Sequence, residues 1–576
     1  MENEGIKEMY NLFAEKIPDN AHNRRIMYHL KELAEECYDQ EIVSLPYTRF
    51  RMFMENGNRT EYEAYYFEHR RLYAIYALMT LWETDERWLS KLCDCIWAIC
   101  DEYTWVLPAH TKTCTETEAN VTQIDLFAGE TGMALAEMWY ILGNRLPEMV
   151  KNRIIYELDR RIIQPYMKTT PRWGINNWSA VCGGTVGSVF IYLGKDKEFQ
   201  AVKGNLQQNM QDFLDSFTED GCCLEGGLYW NYGFSFFCYF TELLRQYSDG
   251  KIDYFANDKV KKIAYFGQNT LLQDDKMISF SDSPHVSRYN CGLWHLLKRK
   301  YEGINLPDEK WESWFGDGYG DSKRYRFAQL IRNLFWYTED KEQPVIKTQD
   351  YVYYENGAWY INKKHAYRFA AKAGHNAEPH NHNDVGSFIL FDHGKYILDD
   401  VGWSEYDNTY FTEKRYENMC ASSLGHSVPI AGGPQKEGGS EHAGEVIEVT
   451  EDTFAIEMTK PYQNRELRSL IRRFTLSDDE IRIVDIPKGE IDNYVERFVT
   501  RIVPRIEGDR VVIDEYELFC TGESSIELSS FDFEPRFESF NKEDPFETAY
   551  LIDFVPDKPQ KMEIIVRKRT EGTKNK

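Results

Sequence analysis

The residues best suited to chemistry lie between Gly374 and Gly433. Five of the thirteen histidines fall there (His375, His380, His382, His393 and His426), together with the adjacent acids Asp399 and Asp400. Histidine titrates near neutral pH and binds metals through either ring nitrogen, so it suits both proton transfer and ligation. If His380-Asn381-His382 runs as a strand, alternate side chains share a face, and the two imidazoles point together with Asn381 opposite. The apolar run 388–391, the turn Asp392-His393-Gly394 and the run 396–398 read as a hairpin. That hairpin returns Asp400 towards the two histidines. Two imidazoles and a carboxylate converging from neighbouring strands make a divalent-metal site. A solitary histidine is usually a surface or satisfied core residue. The hairpin, and a further histidine at 426, favour ligation here.

The strings PHNHNDVGSFILF (379–391), LDDVG (398–402), RYE (415–417) and SLGHSVP (423–429) resemble, in order and spacing, the heparinase II/III-like family of polysaccharide lyases. The resemblance extends upstream through Asn176-Asn177-Trp178, through Asp220-Gly221, and through EGGLYWNY (225–232). It implies a multidomain α + β protein, with an N-terminal incomplete (α/α) toroid of helical hairpins and a C-terminal antiparallel β-sandwich. It also implies a lyase acting on an anionic, uronate-containing glycan, with glycosaminoglycans of the heparan or chondroitin type as the first expectation.

By the resemblance, His380 and a tyrosine of the 229–232 segment are catalytic, Tyr229 ahead of Tyr232. Asn177, ahead of Asn176, neutralises the substrate carboxylate. His382, Asp400 and His426 bind a metal that supports the site rather than activating water. His110 and Arg415 are expected to bind substrate. The implied metal is zinc, although two imidazoles and a carboxylate also suit manganese.

These residue types fit the chemistry. Breaking a uronate glycan by β-elimination requires removal of the C5 proton and protonation of the oxygen leaving C4, tasks for tyrosine and histidine. The carboxylate beside C5 must be neutralised as charge develops, a task for asparagine or arginine. Taken alone, the asparagines read equally well as helix caps. The two tyrosines, three apart on one helical face, read as aromatic core. A hydrolase on the same scaffold would instead use paired carboxylates, for which Glu130, Asp220 and Glu225 are available. Alginate or another uronate polymer is the alternative lyase substrate.

These residues must be positioned by two kinds of structure. Apolar residues recur at helical spacing in 70–82, 86–101, 125–143, 147–165 and 197–217. Asp85 and Asp125 stand where N-caps belong, and Gly143 and Gly194 where helices stop. From about residue 345, short alternating runs separated by turn residues indicate an antiparallel β-sandwich. The division expected is 1–340 helical and 341–576 strand-rich, with a polar linker near 338–347 and a frayed tail.

The chain has 576 residues and a net charge of −26. That length calls for more than one core. That charge argues against nucleic acid or an anionic membrane as partner. An anionic glycan then requires a local basic lining. Aromatic residues make up 15% of the chain, compatible with stacking on sugars as well as with core filling. No basic start followed by an apolar core marks a secretory signal, and no apolar run reaches membrane-spanning length. The expectation is a cytoplasmic protein with reduced thiols, or a secreted one if a leader was removed. Cys93, Cys95 and Cys100 read as part of a buried helix rather than a metal cluster. Homo-oligomerisation is left open.

Overall fold

A computed structural model describes residues 13–569, apart from 15, 112–115, 314–323, 340–348, 405, 407–409, 411, 437, 536–545 and 559–560. Most of the expected linker and of the tail lies outside the described residues. The chain separates into two compact units, and neither is one continuous stretch. The first takes residues 1–216, 229–261 and 288–346; the second takes 217–228, 262–287 and 347–576. A division at residue 340 therefore misses two segments that belong with the strands. Aromatic packing is one reason: Phe266 and Phe280 lie against Trp359, with ring centroids 5.7 and 5.1 Å apart.

The first unit is helical. Thr60–Trp82 and Glu86–Asp101 are joined by three residues as a helical hairpin. The first of these begins ten residues before the expected start, because Tyr62, Tyr66 and Phe67 extend its buried face. Asp85 and Asp125 cap as expected, accepting from the amides of Arg87 and Ala128. Leu126–Leu142 ends at Gly143, which has φ +52°. The helix Asn177–Tyr192 is apolar all round, and every residue except Trp178 is buried. It packs against Leu126–Leu142, Asp196–Asp215 and Ser235–Tyr247, as a helix without a polar face must. Thr185 and Ser188 satisfy their hydroxyls on the carbonyls four residues back. Among the described residues no helix is long and apolar enough to cross a membrane.

The second unit holds three main antiparallel sheets. Tyr351–Tyr354, Trp359–Asn362, Arg368–Lys372, Phe388–Asp392 and Lys395–Leu398 pair in sequence order. The last two form the expected hairpin. His393 and Gly394 both have positive φ, +45° and +80°, as a tight two-residue hairpin turn requires. An eight-stranded sheet includes Thr453–Glu457, Leu467–Leu476, Glu480–Gly489 and Met562–Lys568. A four-stranded sheet joins Ser525–Phe533, Glu547–Val555, Tyr494–Thr500 and Ile430–Ala431. Phe388 and Leu390 from the first sheet, Phe474 and Ile483 from the second, and Phe498 and Phe554 from the third share one buried core.

Strands Tyr494–Thr500, Tyr516–Cys520 and Glu547–Val555 are absent from the sequence expectation. Charges interrupt their apolar pattern, and the sheet pairs them internally: Arg497 bonds Asp553 at 2.8 and 2.6 Å. Arg472 is another inward charge, fully buried on Leu467–Leu476. It donates to Asp485, to Glu496, and to the carbonyls of Gly386 (3.0 Å) and Ser427 (2.7 Å).

Candidate active site and metal centre

In the second unit, His380 and His382 do not lie in a strand. Residues 377–387 form an irregular loop between His375–Asn376 and Phe388–Asp392, and His380 is left-handed, with φ +57°. The two rings converge nonetheless, because both bond a single carboxylate, that of Asp282. His380 Nδ1 lies 2.7 Å from Oδ2 and His382 Nε2 lies 2.9 Å from Oδ1. The hydroxyls of Tyr406 and Tyr410 donate to the same group at 2.6 Å each, and Arg415 Nη2 reaches both oxygens at 3.2 Å. Burial alone would raise the Asp282 pKa. Arg415 and the two histidines override it and hold the group well below the usual carboxylate range.

Asp282 is the residue that sequence reasoning missed. It sits in Ser281-Asp-Ser-Pro-His285, which directly follows the alternating Ile278-Ser279-Phe280. That polar turn after a β-like run, inside a largely helical stretch, was the available signal. The local backbone shows why the turn is specific. Ser281 has φ +62°, a conformation that costs a non-glycine residue roughly 1–2 kcal/mol. Gly226 (φ +92°) and Gly402 (φ +68°) press against it: a Cβ at 226 would meet Ser283 Oγ at 2.1 Å, and one at 402 would meet the Ser283 carbonyl oxygen at 2.4 Å. Gly226 thereby lets Glu225 approach His380, with Oε2 3.5 Å from Nε2.

The two histidines differ in access. The His382 side chain is fully buried, whereas that of His380 is 19% exposed. Asp282 accepts from His380 Nδ1, so the other nitrogen, Nε2, is the one able to exchange a proton with a ligand. Arg415, expected to bind substrate, is itself buried. It lies 4.3 Å from the Tyr410 ring centroid, with Nε on the Asn381 carbonyl and Nη2 on Asp282. Its charge serves Asp282 and holds the loop.

The hairpin does return Asp400 to His382 and His426. One potential ligand atom from each lies within 4.8 Å of the others, and all three residues are buried. The acidic pair divides its work: Asp400 Oδ2 lies 3.1 Å from His426 Nδ1, while Asp399 bonds His285 and Arg501. His382 Nδ1 is buried without a hydrogen-bond partner, which an imidazole rarely tolerates unless something else meets the lone pair. The opposite nitrogens are held, His382 Nε2 by Asp282 and His426 Nε2 by the Cys420 carbonyl at 2.9 Å. That outer support is characteristic of ligating histidines. The donor set therefore fits a divalent cation.

In the first unit, Tyr229 ends a single helical turn, Gly227–Tyr229, and a π-turn, Trp230–Phe234, follows it. The simple three-residue spacing therefore does not apply. Tyr232 donates to Glu130 at 2.6 Å, and Arg326, which also pairs with Glu130, lies 4.3 Å from the ring centroid. Burial and the Glu130 carboxylate push its phenol well above the ordinary value, so Tyr232 stays protonated. Tyr229 is half-buried.

Asn176 is a helix cap. Its Oδ1 accepts from the Trp178 amide at 2.9 Å, and its Nδ2 donates to the Trp173 carbonyl at 3.1 Å. Asn177 opens the helix, buried, beside Gly233 of the π-turn. His110 bonds Asp125 through Nδ1 at 2.7 Å and lies edge-on to Trp178 at 4.9 Å. The structure thus gathers His110, Asn176, Asn177 and Tyr232 around the start of one helix in the first unit. His380, His382, Asp400, Arg415 and His426 are gathered in the second.

No protein-family model matches the chain, and no curated protein does. Solved structures do. The heparan sulfate lyase HepC from Pedobacter heparinus aligns over 94% of this chain and 88% of its own, with a TM-score of 0.59 and 13% identity. A heparinase III structure aligns over 97% of this chain and 94% of its own, with a TM-score of 0.61 and 12% identity. The chondroitin AC lyase of Streptomyces coelicolor A3, in complex with chondroitin sulphate, aligns over 99% and 83%, with a TM-score of 0.57 and 10% identity. Helices followed by antiparallel sheets in this order give the chain the α-toroid and β-sandwich fold of these lyase structures.

Proposed function

We propose that the protein is a lyase that cleaves uronate-containing poly- or oligosaccharides, of the glycosaminoglycan type, by β-elimination. The observation that carries this reading is the state of His380. Asp282 holds one nitrogen, the ring is the exposed member of an otherwise buried network, and the fold is one on which glycosaminoglycan lyases are built. In this reading His380 Nε2 moves one of the two protons, and the Tyr229 hydroxyl moves the other. The Asn177 amide hydrogen-bonds the uronate carboxylate, and Tyr232, kept protonated, braces Glu130 instead of acting as the base. A zinc ion, with manganese the alternative, held by His382, Asp400 and His426, supplies fixed positive charge that ties their loops together. Its loss is then expected to lower stability more than it changes the chemical step.

The experiment is ultraviolet absorbance during incubation with heparan sulfate, heparin, chondroitin and dermatan sulfates, hyaluronan and alginate, as polymers and as oligosaccharides. A rise that depends on His380 establishes the elimination and names the substrate class. New sugar ends without a rise would overturn the lyase reading in favour of a hydrolase.

A further inference from the structure

A second buried group of metal-binding side chains lies in the helical unit: His22, Cys291 and Glu312. His22 is on the helix Ala21–Glu36, Cys291 opens the helix Cys291–Lys300, and Glu312 follows the short turn Glu309–Trp311. The His22 and Glu312 side chains are each 1% exposed, and Cys291 is equally buried. His22 Nε2 lies 2.9 Å from Glu312 Oε2 and 3.7 Å from Cys291 Sγ.

The surroundings fix which His22 nitrogen carries a proton. Asn23 spends its amide NH₂ on the carbonyls of Pro18 and Leu334, at 2.9 Å each. Its Oδ1 therefore faces His22 Nδ1, at 3.0 Å, and can only accept. Nδ1 must be the donor, which leaves Nε2 as a lone pair in the neutral ring. That lone pair points at a carboxylate and a sulfur. Three electron-pair donors thus converge among buried side chains, with the Arg25 guanidinium 4.0 Å from Glu312 Oε2, and such an arrangement favours a further proton or cation among them.

Several features favour the cation. The 3.7 Å nitrogen–sulfur separation matches the edge of a tetrahedron built on zinc bonds of about 2.1 and 2.3 Å, which is about 3.6 Å, whereas the 2.9 Å between His22 Nε2 and Glu312 Oε2 is a hydrogen-bond distance that has to open by about 0.5 Å for a metal to sit between them. Outer support is in place on two ligands: Asn23 orients His22, and the Tyr289 hydroxyl donates to Glu312 Oε1 at 3.0 Å. Tyr337 stacks on the imidazole at a centroid distance of 3.9 Å, almost parallel, and locks its plane.

We propose that His22, Cys291 and Glu312 form a structural zinc site. It clamps the first described long helix to residues about 270 positions later in the same unit. One thiolate and one carboxylate neutralise the dication, and the fourth position is left to a water. Closing so long a stretch of chain restricts the unfolded state, so this metal acts on stability and not on chemistry.

Cobalt is the probe, because the His382, Asp400 and His426 set contains no thiolate and cannot mimic the signal. Full-length protein produced with Co²⁺ is expected to show thiolate-to-cobalt charge-transfer absorption in the near ultraviolet. Cys291→Ser and His22→Gln should each abolish or strongly weaken that band and lower bound metal by one ion per chain, while His382→Ala leaves the band intact. Wild-type protein that binds cobalt without the band would overturn the proposal and leave a proton between His22 and Glu312. A band that survives Cys291→Ser would also overturn it. The wild-type spectrum decides the question even if a variant fails to fold.

Discussion

The two site regions are held by opposite means. In the second unit a single buried carboxylate, Asp282, gathers two histidines, two tyrosines and an arginine. In the first, the candidate residues are held by helix geometry and ring packing: a cap at Asn176, a helix start at Asn177, a π-turn after Tyr229, and the rings of Phe127 and Trp178 around His110. A charge hub is concentrated, so one change undoes it. A packed helix start is distributed, so single changes are absorbed. Loss of the central carboxylate should therefore have large coupled effects on stability and rate, whereas changes to the groups around it, and to the helix start, should be separable.

The sharpest way to break this comparison is Asp282→Ala. It strands the buried Arg415 charge and frees both histidines, and removing one partner of a buried pair typically costs about 3–5 kcal/mol. Chemical denaturation should show a loss of that size, with activity and metal content falling together. A loss below about 1 kcal/mol would mean that the hub is not the organiser.

His380 and His382 come next, because they share the carboxylate and differ in access. His380→Ala should lower kcat by about 10²–10⁴-fold with little change in melting temperature. His382→Ala should lower metal content and melting temperature first. Equal profiles for the two variants would erase the distinction between an acting and a supporting histidine.

In the helical unit, Tyr229→Phe should abolish most of the elimination rate while substrate still binds. Tyr232→Phe removes only the bond to Glu130, a stability effect of about 1–3 kcal/mol. Asn176→Ala should cost roughly 1 kcal/mol as a lost cap, read by thermal melting, whereas Asn177→Ala should act on kcat. If Tyr232→Phe proves the slower enzyme, the ranking of the two tyrosines reverses.

The smallest effect concerns Lys363. It donates to the carbonyls of Gln268 and Leu271 at the end of the helix Asp258–Thr270, which precedes the Asp282 turn. Burial pushes its ammonium down from 10.5 to about 7. Between those values the unfolded chain holds the proton and the folded chain does not, so stability should rise with pH across that window. Lys363→Met should flatten the rise in melts taken from pH 7 to 10. A slope unchanged by the substitution would mean that the ammonium stays charged inside.

The sequence shows the second region better than the first, for a physical reason. Histidines and paired acids are rare enough to stand out, and the two apolar runs about the Asp392-His393-Gly394 turn announce the hairpin that carries Asp400 to His382. It cannot show that His380 is left-handed, because that conformation is imposed by contacts with the 279–283 turn, about a hundred residues away in sequence. For the same reason, strand alternation brings the two histidines together by the wrong geometry, although they do converge. In the helical unit, Asp85, Asp125 and Gly143 mark helix ends through local chemistry and are readable as such. Nothing local tells the cap at Asn176 from the helix-opening Asn177, since both are asparagines before an apolar run. The pairing of Arg415 with Asp282 is equally hidden, because that counter-ion is a long-range partner that periodicity does not reveal.

The position of Arg472 has a consequence for how this region can vary. Its guanidinium holds the carbonyls of Gly386 and Ser427 at once, one near the end of the loop bearing His382 and the other next to His426. The two loops therefore share a single hanger. Insertions or deletions in either must leave both carbonyls within reach of the same side chain, so the loops are constrained to change length and path in concert. The inward arginine, its acids Asp485 and Glu496, and the two hung loops form a module that would have to be transplanted whole into another sandwich for its histidines to meet.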